Sequence, residues 1–183
     1  MEFLSKFFRK SNNPDEIFVN YPILKTSLIN EIETMRTLNY HRIPKLIEVQ
    51  ETESAIYLIT EFLHNNTLDK LLKKPQWQTS ILKLKTKNLM FSLLKTLSFM
   101  ASQGIIHRNI KPANILIEGS TDVKIINFSL ATFLDSPNVN FRTCGTPGYI
   151  APEIFFHDEQ EEGGKIYDTK CDIFSTGCIF FQM

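Results

Sequence analysis

The stretch that most constrains this chain lies near its middle. Over residues 81–103, Leu89, Leu93, Leu97 and Met100 recur at spacings of three and four, and Gly104 follows directly. That period is one stripe of a long amphipathic helix, and a glycine in that place is a C′ residue that stops it. After the helix, Ile115 to Ile117 and Val123 to Ile126 flank a polar turn, which predicts a hairpin. Before it, Lys45 to Gln50 and Ala55 to Leu63, separated by Glu51 to Ser54, predict a second antiparallel hairpin. Upstream again, Pro22 opens a predicted helix carrying Leu24, Leu28, Ile32, Met35 and Leu38 and ending near Asn39. Met1 to Lys10 reads as a buried strand, with an interfacial anchor as its alternative. A short helix is expected at Leu68 to Leu72 and an apolar one at Ile173 to Met183. Residues 129–152 show no period and read as a long functional loop, and residues 159–164 as a solvated insertion. The fold class is α+β: a small strand-and-helix unit followed by a helical unit that carries a hairpin.

Composition narrows the function classes. With 183 residues and 43% hydrophobic content the chain suits one domain. Twenty basic residues balance twenty acidic ones, so the surplus that drives nucleic-acid binding is missing. No apolar run reaches the eighteen residues of a membrane span. Cys144, Cys171 and Cys178 are odd in number and contain no C-x-x-C pair, which argues against a disulfide framework or zinc site and predicts a reducing, cytoplasmic location.

Four segments carry the chemistry. His107-Arg108-Asn109-Ile110-Lys111-Pro112-Ala113-Asn114 precedes the second hairpin and Asn127-Phe128-Ser129 follows it. Gly145-Thr146-Pro147-Gly148-Tyr149-Ile150-Ala151-Pro152-Glu153 closes the long loop, and Asp172-Ile173-Phe174-Ser175-Thr176-Gly177 opens the last helix. In order and context this resembles the eukaryotic protein kinase family: the catalytic loop H-R-D-x-K-P-x-N, the D-F-G triplet, the A-P-E segment and the D-x-W-S-x-G segment. Lys111 and Gly145-Thr146-Pro147 favour the Ser/Thr branch.

The resemblance implies a two-lobed kinase-like domain over residues 1–183, with 1–63 a partial small lobe and hinge and 64–183 a partial large lobe. It also implies a fold incomplete at both ends, without the glycine-rich-loop strands and the last large-lobe helices. ATP and Mg²⁺ are the implied cofactors. Glu31 takes the place of the small-lobe helix glutamate, and Lys6 that of the strand lysine which pairs with it, with a solvated surface lysine as the alternative for Lys6. Thr60 falls at the pocket-gating position, Glu61 and Leu63 in the hinge, and Leu116 at a cofactor-binding position. Lys111 and Thr146 match catalytic positions, and Asn114 and Asn127 the metal positions. Arg108 matches the arginine that receives an activation-loop phosphate and Thr143 stands near the phosphorylated place, though an unmodified exposed threonine serves equally as a reading. Met35, Leu46, His107 and Phe128 match the apolar column joining the lobes.

The departures are the informative part. The family's catalytic-loop Asp accepts the substrate hydroxyl proton and its D-F-G Asp holds Mg²⁺. Here both are amides, Asn109 and Asn127. An amide is neutral and has no basic oxygen at pH 7, and a missing general base is worth about 10²- to 10⁴-fold in rate. Mg²⁺ is usually held by carboxylates and phosphates. Ser129 replaces a glycine whose backbone freedom serves the turn. No G-x-G-x-x-G occurs, and Leu4 stands where a small alanine would rest on adenine. Glu153 is expected to be buried without its later arginine, and Ile179, Phe180, Phe181 and Met183 to lack neighbours.

These features predict a pseudokinase with weak or absent nucleotide binding, acting on another protein, such as a kinase or a kinase substrate, by binding or allosteric scaffolding. The alternatives are an active Ser/Thr kinase using the ATP γ-phosphate and a truncated product with no function.

Overall fold

The computed structural model describes residues 3–9, 27–53, 55–63, 66–75, 82–119, 122–136, 143–156 and 168–183, with backbone only at 3–9 and 82–84. Strand β1, Phe3–Arg9, pairs antiparallel with β3, Ala55–Glu61, and β2, Leu46–Glu51, pairs with the other edge of β3. The sheet order is therefore β1-β3-β2. β3 takes the centre because Ala55 and Leu58 are its most buried side chains, while β2, at the edge, is half-buried only at Leu46 and Val49 and exposed elsewhere.

Helix α1, residues 27–37, buries Leu28 and Met35 of the predicted stripe, with Ile32 half-buried, and it also turns Glu31 and Thr34 inward. Pro22 and Leu24 lie outside the described residues. α2, Leu68–Leu72, leads to the long α3, Leu82–Ser102, whose stripe of Leu89, Leu93, Leu97 and Met100 is buried. Gly104 has φ +69°, a conformation that suits glycine, and its carbonyl accepts from the Leu134 N–H at 2.7 Å.

One apolar core joins both parts. Met35, Leu38 and Ile43 from the α1 side meet the α3 stripe, Ile115, Ile117, Val123, Ile125, Phe128 and Ile179. β5, Ile115–Glu118, and β6, Asp122–Ile125, form the predicted hairpin. A latch fixes it beneath the small lobe: the Asp122 carboxylate accepts from Arg42 Nε at 2.5 Å and from Ser92 Oγ at 2.9 Å, and the Ile125 N–H donates to the Arg42 carbonyl. These contacts hold the Asp122 carboxyl below the usual carboxylate range against the cost of its burial.

Three expectations need correction. The aperiodic stretch after Ser129 contains a strand, β7, Thr132–Phe133, which pairs with β4, Ile105–Ile106. Two-residue strands carry no periodicity to read. Glu153 is exposed on the short helix α4, Pro152–Phe155, so its carboxylate is not buried and calls for no buried partner. Within α5, Lys170–Gln182, Ile179 is fully buried against the main core, and Met183 just after it is half-buried there too, because that face of the helix packs on α3. Phe180 and Phe181 are exposed, as expected.

Candidate functional site

The site grows from a buried carboxylate. Asp172, in the first turn of α5, accepts the backbone N–H groups of His107 at 2.7 Å and Arg108 at 2.9 Å. Arg108 is held at φ +62°, a left-handed conformation uncommon for a residue with a side chain, and the two hydrogen bonds to Asp172 stabilise it there. Full burial pushes the Asp172 carboxyl up to about 6, although both N–H groups favour the charged form. Asp172 belongs to a matched motif, yet sequence reasoning gave it no role. The signal was available: a lone acid in an otherwise apolar helix needs buried donors.

His107 is buried and neutral, its imidazole pushed down to about 4 by desolvation. Its Nε2 lies 3.1 Å from the Ile126 carbonyl and its Nδ1 accepts the Asn109 N–H at 3.2 Å, which fixes the tautomer with the proton on Nε2. The ring meets Phe128 edge-on at 5.2 Å. Met35 and Phe128 are buried in the core and Leu46 packs against it.

Around this scaffold lies a chain of hydrogen bonds. Lys111 Nζ donates to Thr146 Oγ1 at 2.8 Å, and Thr146 Oγ1 donates to Asn109 Oδ1 at 2.8 Å. Asn114, buried at the end of the 3-10 turn Pro112–Asn114, donates through Nδ2 to the Asn109 carbonyl at 2.8 Å. Asn127 Nδ2 points at Asn114 Oδ1 at 3.4 Å, and Ser129 Oγ donates to Asn127 Oδ1 at 2.8 Å. The structure thus brings Asn109, Lys111, Asn114, Asn127 and Thr146 together. Gly145, at φ +130°, lets the Thr146 segment approach, since a Cβ there would sit 3.2 Å from the Arg108 carbonyl and 3.0 Å from Ile150.

Asn127 is at φ +68°, a region that asparagine tolerates better than most residues. Ser129 lies outside the left-handed region, so the turn does not need glycine. The Ser129 hydroxyl seated on Asn127 escaped sequence reasoning, because a serine in a loop has many partners within reach.

The nucleotide end is partly described. Lys6 sits on β1 in register with Leu58, and Leu4 with Thr60; the side chains of both lie outside the described residues. Glu31 is buried on α1. Thr60 and Glu61 end β3, and Leu63, half-buried, follows. The Glu61 side chain is taken by an ion pair with Lys124, and its N–H donates to the Lys45 carbonyl. Lys124 went unnoticed in the sequence, although its register opposite the buried Leu116 placed it on that face. Arg108 is buried and its Nε donates to the Leu130 carbonyl at 2.6 Å, while Thr143 is exposed. Among the described residues no helix is long and apolar enough to cross a membrane.

Comparison with known proteins agrees with this architecture. A family model described as the protein kinase domain matches residues 3–183. The chain is similar to a protein named "Probable serine/threonine-protein kinase 2" from Plasmodium falciparum (isolate K1 / Thailand), with 37% identity over 164 residues, covering 88% of this chain and 30% of that protein. It is also similar to "Serine/threonine-protein kinase PLK4" from Danio rerio, with 29% identity over 155 residues, covering 84% of this chain and 16% of that one. The chain therefore spans less than a third of either relative. Scaffold, motif order and family match lead to one conclusion: this chain belongs to the protein kinase family, as a domain of the Ser/Thr kinase type.

Proposed function

We propose that this domain is a pseudokinase that works by presenting a kinase-shaped surface to another protein, a kinase or a kinase substrate, rather than by transferring phosphate. One observation carries the reading: the two positions that need carboxylates hold amides whose oxygens are already engaged, Asn109 Oδ1 by Thr146 and Asn127 Oδ1 by Ser129. Asn109 has no basic oxygen to take a proton. At the metal positions, Asn127 aims a hydrogen-bond donor at Asn114 Oδ1, where a pair of oxygens would be needed for Mg²⁺. These residues do not fit the metal. ATP binding is accordingly weak or absent, the more so because a leucine, Leu4, stands where the family has a small alanine. Three free cysteines suit a reducing cytoplasm.

The second reading, an active Ser/Thr kinase, is favoured by the intact pairing of Lys111 with Thr146. Incubation of the purified protein with ATP, Mg²⁺ and a generic Ser/Thr peptide separates the two. The expected result is no transfer above a heat-killed control. Sustained Mg²⁺-dependent turnover would overturn the pseudokinase reading.

A further inference from the structure

We infer that a hydrogen bond from Asn127 to Asn114 replaces a divalent cation between these two residues, and that the chain it belongs to, continued through Ser129 and Ser27, ties the catalytic loop to the small-lobe helix. The chain is continuous. Asn114 is anchored to the Asn109 carbonyl at 2.8 Å, Asn127 Nδ2 donates to Asn114 Oδ1 at 3.4 Å, and Ser129 Oγ donates to Asn127 Oδ1 at 2.8 Å. Ser27 Oγ, in α1, then donates to the Ser129 carbonyl at 2.7 Å, across 102 residues of sequence.

The chemistry explains why the substitutions belong together. Two oxygens facing each other need a cation or a proton between them, and a carboxylate at position 127 would offer acceptors only. The amide brings its own donor toward Asn114, so the gap closes without a metal. That leaves the amide oxygen to be satisfied, and the Ser129 hydroxyl, which glycine would lack, satisfies it. Backbone geometry permits both changes: Asn127 tolerates its φ of +68°, and Ser129 lies outside the left-handed region.

The tie stands independently of the proposed function, since it concerns order in residues 127–129 and α1 and not turnover. Hydrogen exchange of the full chain, with MgCl₂ or with EDTA and no nucleotide, tests it. In the unaltered protein, peptides covering residues 122–135 and α1 should exchange equally under both conditions. Ser129→Ala should exchange about two- to tenfold faster in those peptides alone, as expected for the loss of one hydrogen bond. Asn127→Asp should exchange faster in EDTA and regain protection in MgCl₂. Slower exchange of the unaltered protein in MgCl₂, an unchanged Ser129→Ala, or an Asn127→Asp indifferent to Mg²⁺ would each overturn the inference. Phosphotransfer by the same sample would overturn the pseudokinase reading and leave these outcomes standing.

Discussion

Asp172, which bonds the backbone of the catalytic loop, and the pair Asn109/Asn127 have been treated differently. The acid that shapes the backbone is kept, fully buried and bonded to two N–H groups. The acids that would touch substrate and metal are amides tied to hydroxyls. A carboxylate under the loop is irreplaceable on structural grounds alone, because only it accepts two buried donors and supports the left-handed Arg108. A carboxylate at the rim is needed only for chemistry. Reciprocal exchange of acid and amide therefore ought to have opposite consequences at the two places.

The largest effect is expected from Asp172→Asn. The amide keeps one acceptor oxygen and turns an N–H group toward the other donor, and hydrogen bonds to charged groups contribute about 1.5–3 kcal/mol each. A loss of about 2–4 kcal/mol in denaturant unfolding is expected. The converse change, Asn109→Asp, keeps the acceptor for Thr146 and should shift stability by less than about 1 kcal/mol. It should also fail to create normal phosphotransfer, since Asn127 is unchanged. Equal costs at the two sites would erase the comparison.

Acid titration sharpens it. His107 titrates near 4 in the folded chain against an ordinary 6.5, so the unfolded chain binds the proton first and stability is lost as pH falls from about 6.5 to 4. Asp172 titrates near 6 against an ordinary 3.8, so the folded chain binds the proton first and stability is gained as pH falls from about 6 to 4. Each amounts to about 3 kcal/mol at 1.4 kcal/mol per pH unit, and the two nearly cancel. Relative to the unaltered protein, His107→Phe should become steadily more stable on acidification through this window, and Asp172→Asn steadily less so. Parallel pH profiles for the three proteins would show that the two groups do not offset each other.

Smaller effects belong to the rim. Thermal unfolding with ATP should move little, and equally with and without Mg²⁺; a large Mg²⁺-dependent rise would mean that other groups build a metal site. Phosphorylation near the activation loop gives the least. If a negative charge at position 143 is received by Arg108, Thr143→Glu should reduce protease nicking between Ser136 and Arg142, and adding Arg108→Ala should abolish that protection. Because Arg108 already donates to the Leu130 carbonyl, equal protection in the double variant would assign loop order to other contacts.

Sequence alone determined whatever depends on near neighbours along the chain. The four-residue stripe of α3 and its glycine stop, the two hairpins, the order of the motifs and the two amides were all legible, because periodicity, capping and residue chemistry act within a few residues. Tertiary structure alone decided which donors those amides meet. Thr146 reaches Asn109 across 37 residues, His107 and Arg108 reach Asp172 across 65 and 64, and Ser27 reaches Ser129 across 102. The two-residue strands β4 and β7 and the exposure of Glu153 were decided the same way. A hydrogen bond is set within a few tenths of an ångström by the packing of both partners, and no local pattern in the chain encodes a distance of that kind.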